Sequence, residues 1–356
     1  MNRTALIGIG TAVPEHTLQQ ADAAAHAAMF NLKPNNDRVV RALYRRAGVK
    51  TRSSVLADHE GRLAFYNPEH QLPSTAQRMR VYEQHAGALA ERACREAFHR
   101  ADTSPGQITH LITVSCTGFA APGVDLELIR ELGLSTATRR THIGFMGCHA
   151  AVNALAVAQA FAGCDTHARV LICCVELCSL HFDHEADAQG HVANALFADG
   201  AAAAIIAASD TDPICLKQTG SIVLPHSADM MSWHIGDQGF RMRLSPRVPA
   251  VLAENVPPWL HDLLAQSGRS VSDIGSWAVH PGGPRMLGAL SDALGLDPGM
   301  VAVSRTVLAQ NGNMSSATLL FIIQQLLDDK PPMPLLAAAF GPGLSGEAIL
   351  LTEGLS

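Results

Sequence analysis

The chain has 356 residues, 47% of them hydrophobic and 16% charged, with a formal net charge of −6. That length allows two core-bearing units or one large layered body, the charge balance gives no sign of a nucleic-acid partner, and no apolar run approaches the ~20 residues that span a bilayer. The eight cysteines, at 94, 116, 148, 164, 173, 174, 178 and 215, lie mostly in apolar runs without framework spacing, as in a reducing compartment. The opening MNRTALIGIGTAVPEH lacks a convincing cleavage site and reads as a first strand and turn, so a cytoplasmic location is expected.

In chain order, residues 4 to 10 predict a buried strand, 18 to about 32 an Ala-rich helix, and 38 to 46 a second, short helix. Around that helix lies a basic run of Arg41, Arg45, Arg46, Lys50 and Arg52, which is either a solvated face or a phosphate-binding rim. Residues 54 to 78 carry few periodic apolar positions and are expected to be irregular. Tyr82 to His99 is an amphipathic helix, 109 to 116 a strand buried on both faces, 124 to 132 a helix and 142 to 145 a short strand. Next comes GFMGCHAAVNALAVAQAFAG, residues 144 to 163, a glycine-flanked turn that runs into a helix apolar nearly all round and hence buried. Residues 168 to 178 predict another strand, and 195 to 209 a turn at Asp199-Gly200 followed by one more. Polarity rises from 210 to 220, which places a boundary between halves 1–215 and 216–356. The second half predicts helices at 251–266, 284–294 and 315–328, and strands at 276–280 and 300–304, then LLAAAF and AILLT. This alternation is that of an α/β fold with buried sheets.

Three residues carry a possible chemistry. Cys148 stands at or before the first helical turn, where free N–H groups and the helix dipole favour a thiolate and can bring a thiol pKa from ~8.5 to roughly 3.5–7.5. It reads equally well as a small packed hydrophobe. His280 closes SWAVH and precedes a Pro-Gly-Gly-Pro turn, and Asn313 lies beside the Asn311-Gly312 turn; each alone is as readily structural. Together they supply a nucleophile, a base and donors for a developing oxyanion, which acyl transfer requires. A Cys-His acyl-CoA hydrolase would use the same groups without consuming malonyl-CoA. Cys173, Cys174, Cys178, His181 and His184 also lie close together in sequence, but their spacing fits no common zinc pattern, and adjacent strand residues face opposite ways, so no metal is expected.

Gly-Cys148 before a buried helix, ALFADGAAA at 195 to 203, WAVHPGGP at 277 to 284, QNGNMSSA at 310 to 317 and FGPGLSGE at 340 to 347 follow in order over nearly the whole chain. In these motifs the chain resembles a type III polyketide synthase, the chalcone-synthase-like branch of the thiolase-fold condensing enzymes. The resemblance implies a five-layered αβαβα fold of two similar halves, a homodimer, and acyl-CoA and malonyl-CoA as substrates, with no cofactor beyond these thioesters. By motif position, Cys148 would accept the acyl group, and His280 and Asn313 would hold the malonyl thioester carbonyl while CO2 leaves. Phe197 matches the family's gatekeeper, and Met242 stands where a second Phe is usual. Arg46 is the best match to the basic CoA contacts, with Arg41 less securely aligned, and Gly282 would support ligand by backbone approach. Cys116, Ala121, His181 and Trp233 occupy cavity positions. A Trp at 233 would block an aromatic-starter pocket, whereas Cys116, Ala121 and Met242 would leave an apolar path. The expectation is therefore a medium-to-long aliphatic starter giving alkylpyrone or alkylresorcinol-type products, with a malonyl-primed tetrahydroxynaphthalene-type or a chalcone-type synthase as the alternative.

Overall fold

The computed structural model describes residues 2–30, 36–209 and 214–354. The first half contains β1 (Thr4–Ala12), β2 (Thr17–Gln19), α1 (Gln20–Met29), α2 (Asn36–Arg46), β3 (Thr51–Ser53), α3 (Thr75–Ala101), β4 (His110–Ser115), α4 (Val124–Leu132), β5 (Arg139–Gly144), α5 (Ala150–Cys164), β6 (Arg169–Leu177), α6 (Ala188–Leu196) and β7 (Asp199–Ala208). There follow β8 (Ile214–Val223), β9 (Met231–Gly236), β10 (Gly239–Leu244), α7 (Val248–Ala265), β11 (Ser276–Val279), α8 (Pro284–Ala293), α9 (Ala302–Asn311), α10 (Ala317–Asp328), β12 (Leu335–Gly341) and β13 (Ser345–Glu353).

Strands that are apolar at every position need cover on both faces, and the side-chain alternation of period two sends successive residues to different layers. On β6, Val170, Ile172 and Cys174 enter one core while Leu171, Cys173 and Val175 enter another. On β12, Leu335, Ala337 and Ala339 join the first of these cores, while Leu336, Ala338 and Phe340 join a third. The shared core is filled by α5 and α10, the second by α3 and α4, and the third by α7 and α8. The result is the five-layered αβαβα arrangement of the thiolase-like fold. Its strands run in the order β11-β12-β13-β8-β1-β7-β6-β4-β5, and among the described residues β1 and β8 meet only at Ala5 and Cys215. The Ala-rich, nearly all-apolar sequence of α5 is thus explained by a helix enclosed between two sheets.

Several sequence expectations are corrected. Residues 300–304 are not a strand: Asp297 accepts from Gly299 N at 2.7 Å, a Pro298-led 3-10 turn follows, and α9 starts at Ala302. The apolar run there mimics a strand, but Asp-Pro is a helix-start signal. Asp199 and Gly200 form no turn; they begin β7, with the Asp199 carboxylate accepting from Val55 N, Ser179 N and Ser179 Oγ at 2.6–2.9 Å. Helix α3 begins seven residues before Tyr82, at a capping box in which Ser74 and Gln77 satisfy each other's backbone N–H. The β9–β10 hairpin, β8 and α6 were not anticipated. The predicted end of the first helix at Leu32, and positions 210–213 next to the predicted boundary, lie outside the described residues.

Candidate active site

Strand β5 leads into a turn with two left-handed residues, Phe145 at φ 59° and Gly147 at φ 83°. Only glycine fits at 147, because a Cβ there would lie 2.3 Å from Pro342 Cδ. Cys148 follows, two residues ahead of α5 and 6% exposed. Its environment differs from the expected one: burial pushes the thiol up to about 12, against hydrogen bonds from the Ser315 and Asn313 side chains that lower it. The first helical donors are not all aimed at sulfur, since Ala150 N donates to Gly147 O and Val152 N to His149 O. Desolvation therefore outweighs the helix terminus.

Asn313 is fixed by its backbone. Its N–H donates to Leu196 O at 2.8 Å, and its carbonyl accepts from Ala198 N at 2.9 Å. Its side-chain Oδ1 accepts from Ser315 N at 2.9 Å, which leaves the amide NH2 for a partner in the site. His280 directly follows β11, and its N–H donates to Ala338 O at 2.8 Å. The ring is fully buried, yet neither Nδ1 nor Nε2 has a hydrogen-bond partner. Burial, and then repulsion from nearby His149, depress its pKa to about 3, so it is a neutral imidazole at ordinary pH.

Cys148 opens onto a cavity of about 1100 Å³, counting its mouth. Phe197, Met242, Cys116, His181 and Trp233 all line it. Trp233 faces inward: its indole N–H donates to Cys116 O at 2.8 Å, and it pairs across the hairpin with Met242. His181 is locked between its Nε2–H, donating to Thr117 O at 2.6 Å, and Phe240 N, donating to Nδ1 at 3.0 Å. Burial lowers its pKa to about 3. Ala121, expected to face the neighbouring subunit's cavity, does not line the cavity of its own chain and is exposed on the loop after β4. Leu18, Ala23, Tyr44, Leu63 and Phe182, which pack together with Phe197, line the same cavity.

The basic run divides. Arg46 is exposed at the end of α2, and Arg41 is exposed but paired with Asp37 at 2.9 Å. Arg52 is no rim residue: it is 5% exposed and donates to the carbonyls of Asn194, Ala195 and Phe197 at 2.5–2.8 Å and to Gln20. A cation at these C-terminal carbonyls of α6 is favourable. Gly282 could not carry a side chain without moving Met286, whose Cε would be 2.5 Å from its Cβ. Sequence reasoning missed Ser315 and Glu176. Glu176 is a fully buried carboxylate accepting from Cys116 N, Thr117 Oγ1 and Ser316 Oγ at 2.5–3.0 Å. The SS pair in GNMSSA was a visible signal for the hydroxyls; nothing local marked Glu176.

Among the described residues no three His, Cys, Asp or Glu side chains are placed to hold a metal ion, and no helix is long and apolar enough to cross a membrane. Residues 2–211 match the N-terminal domain of chalcone and stilbene synthases, and residues 216–354 match the C-terminal domain. The site and fold therefore define a condensing enzyme of the thiolase-like class. The chain belongs to the chalcone and stilbene synthase family, the type III polyketide synthases. It is 31% identical to the alpha-pyrone synthesis polyketide synthase-like Pks18 of Mycobacterium tuberculosis, over 96% of this chain and 89% of that one. It is 34% identical to the 1,3,6,8-tetrahydroxynaphthalene synthase of Streptomyces griseus, over 94% and 89%. The crystal structure of PKS-I from the brown alga Ectocarpus siliculosus superimposes with a TM-score of 0.95 at 26% identity, covering 99% of each chain.

Proposed function

We propose that this polyketide synthase loads an aliphatic medium-to-long acyl group from its CoA thioester onto Cys148. It then extends that group with malonyl-CoA to alkylpyrone or alkylresorcinol-type products. The observation that carries the mechanism is His280, a buried neutral imidazole with both ring nitrogens unsatisfied. An unpaired buried polar group is costly, and a substrate oxygen that accepts from His280 and the Asn313 amide would remove that cost. In the loading step the Cys148 proton passes to a base, for which neutral His280 is available, sulfur bonds to the acyl carbon, and CoA leaves as the thiol. In extension the malonyl C–C bond breaks, CO2 departs, and the electron pair moves onto the thioester oxygen as an enolate. Donors preset there stabilise the transition state more than the ground state. The enolate carbon then attacks the acyl carbon and Cys148 leaves as thiolate, ready for the next cycle.

The starter assignment rests on the apolar side chains clustered with Phe197 in the lining and on Trp233, which fills part of the same wall. The alpha-pyrone relative supports the same reading; the tetrahydroxynaphthalene synthases, and Cys116 in the wall, support malonyl priming as the second reading. Arg46 would meet the CoA phosphates at the mouth, with Arg41 beside it. Exposed Phe119, Phe145 and Met146, close to the exposed edge strand β5, fit the contact of a homodimer. Residues 1–215 carry the nucleophile and 216–356 the His-Asn pair.

Incubation of malonyl-CoA with acetyl-, hexanoyl-, lauroyl-, palmitoyl- or coumaroyl-CoA, with products read by mass spectrometry beside Cys148→Ala, tests the reading. Malonyl-dependent alkylpyrones or resorcinols from the longer chains, absent in the variant, are expected. Product from malonyl-CoA alone would establish the second reading, and free acid without malonyl consumption would indicate a hydrolase.

A further inference from the structure

The imidazole that follows the nucleophile does not reach the cavity wall, yet it is 1% exposed and held on both edges. Its Nδ1 lies 2.8 Å from Asn153 Oδ1, one turn along α5, and an amide oxygen there accepts the Nδ1–H. Its Nε2 lies 2.8 Å from Ser345 Oγ at the start of β13. Ser345 Oγ also lies 2.7 Å from Pro342 O; burial keeps the ring neutral, so with Nδ1–H given to Asn153 Oδ1 the Nε2 edge accepts from the Ser345 hydroxyl. The ring also occupies the space that glycine leaves at 341: a Cβ there would meet His149 Cδ2 at 2.6 Å and Met146 O at 3.0 Å. Pro342, from the same loop, closes on Gly147 from the other side. The turn that presents sulfur is thus clamped between a loop from the second half of the chain and a side chain from its own helix.

On the reading of Cys148 as nucleophile, we infer that His149 is a positioning residue. Through Ser345 it locks the Gly147–Cys148 turn onto the Gly341–Pro342 loop and keeps sulfur opposite Asn313 and Ser315 while the cavity fills and empties. The clamp links the half that carries the nucleophile to the half that carries the other two groups. Their relative placement is what a displacement on sulfur depends on, since about 1 Å of misplacement can cost ~100-fold in rate.

The test compares His149→Phe, which keeps a ring but loses both hydrogen bonds, with His149→Gln, which retains a donor, and with Ser345→Ala, alone and combined with His149→Phe. Three quantities are read on the full-length protein: kcat and KM for the starter, the rate of Cys148 alkylation by iodoacetamide followed by mass spectrometry, and the melting temperature. His149→Phe is expected to lower kcat and the alkylation rate together by about 10- to 100-fold with little change in KM. Glutamine should restore much of the loss, and Ser345→Ala should fall in the same direction without adding to it in the double variant. The inference is overturned if folded His149→Phe or Ser345→Ala keeps wild-type alkylation and kcat, or if their losses simply add. Should His149→Phe fail to fold, Ser345→Ala decides alone. Failure of the underlying reading looks different, because Cys148→Ala would then still make product.

Discussion

Phe197 and Asn313 are paired backbone to backbone, by hydrogen bonds from Asn313 N to Leu196 O and from Ala198 N to Asn313 O, at 2.8 and 2.9 Å. The cavity-lining Phe197 and the amide proposed to hold the carbonyl are therefore built on one bridge, although 116 positions separate them in the sequence. Because main-chain atoms make the link, each side chain can be changed without moving the other.

Phe197→Ala and Asn313→Ala should consequently separate selection from chemistry. Asn313→Ala removes a donor from the proposed oxyanion site and is expected to slow malonyl-CoA decarboxylation by about 10²–10³-fold. Phe197→Ala keeps the bridge, so decarboxylation should stay within about threefold while the product length distribution shifts. Release of labelled CO2 and mass spectrometry of products measure the two effects. A collapse of decarboxylation in Phe197→Ala would break the argument.

Arg52 makes a second prediction, of stability. It satisfies three carbonyls at the end of α6, Asn194, Ala195 and Phe197, in a place without solvent, and burial lowers its own pKa. Arg52→Met fills part of the volume but strands those acceptors and the Gln20 side chain. A loss of about 3–5 kcal/mol is expected in urea unfolding, since each unmade buried bond costs about 1–3 kcal/mol and the helix end can partly relax. A loss under 1 kcal/mol would mean that water reaches the carbonyls.

Arg52 also shows where the sequence stops being readable. Five basic residues over twelve positions look alike on paper, and only the packing of α1 and α6 around β3 buries one of them. The alternation of strands and helices in the first half, and the buried character of α5, follow from local periodicity and were legible, whereas the five-layered order was implied only by the family resemblance. The motifs of a known family singled out Cys148, Phe197, His280 and Asn313; of these the structure pairs Phe197 with Asn313 and sets the Asn313 side chain at the Cys148 thiol. The hydroxyl of Ser315 at the thiol, the carboxylate of Glu176 under Cys116 and the clamp around His149 are long-range pairings. They depend on which loop of one half meets which helix of the other, and no spacing within a segment encodes that. The raised thiol pKa of Cys148 belongs here too, because the depth of burial that outweighs the helix terminus is a property of the assembled layers.

Acid should unfold the protein through its buried neutral histidines. His181 and His280 have native pKa values of about 3, against about 6.5 in an unfolded chain. Between those values the unfolded state binds protons that the native state does not, so their contribution to stability is present above pH ~6.5 and is lost as pH falls toward ~3. Asp199 acts in the opposite sense. Burial raises it to about 6, so between ~6 and the unfolded value of ~3.9 the native state holds a proton that the unfolded state has released, which favours the fold as pH falls. His181→Gln removes one of the destabilising groups. Urea unfolding at several values between pH 7 and 4.5 should show the variant's stability falling less steeply, by up to about 1.4 kcal/mol per pH unit. Parallel curves for variant and wild type would mean that His181 does not enter the native state neutral.

Trp233 supplies the last prediction, on which starter the cavity admits. Its ring is fixed rather than swinging: the indole N–H is committed to Cys116 O, His181 stands edge-on at 5.3 Å and Phe240 at 5.6 Å. On the proposed reading, a wall held at three points excludes a flat aromatic acyl group from its side, and an alkyl chain lies against Leu18, Ala23 and Leu63, which line the same cavity. Trp233→Ala empties a volume about the size of an indole while His181 keeps its own two hydrogen bonds, so the cavity should widen without collapsing. Coumaroyl-CoA, which on the proposed reading the wild type does not extend, is then expected to be extended by the variant, and lauroyl-CoA is expected to be extended by both, with a less defined number of extensions in the variant. Conversely, Leu63→Trp should shorten the longest accepted alkyl chain and leave acetyl- and hexanoyl-CoA turnover near the wild-type level. If Leu63→Trp leaves palmitoyl-CoA extension unchanged, the alkyl chain does not lie against Leu63.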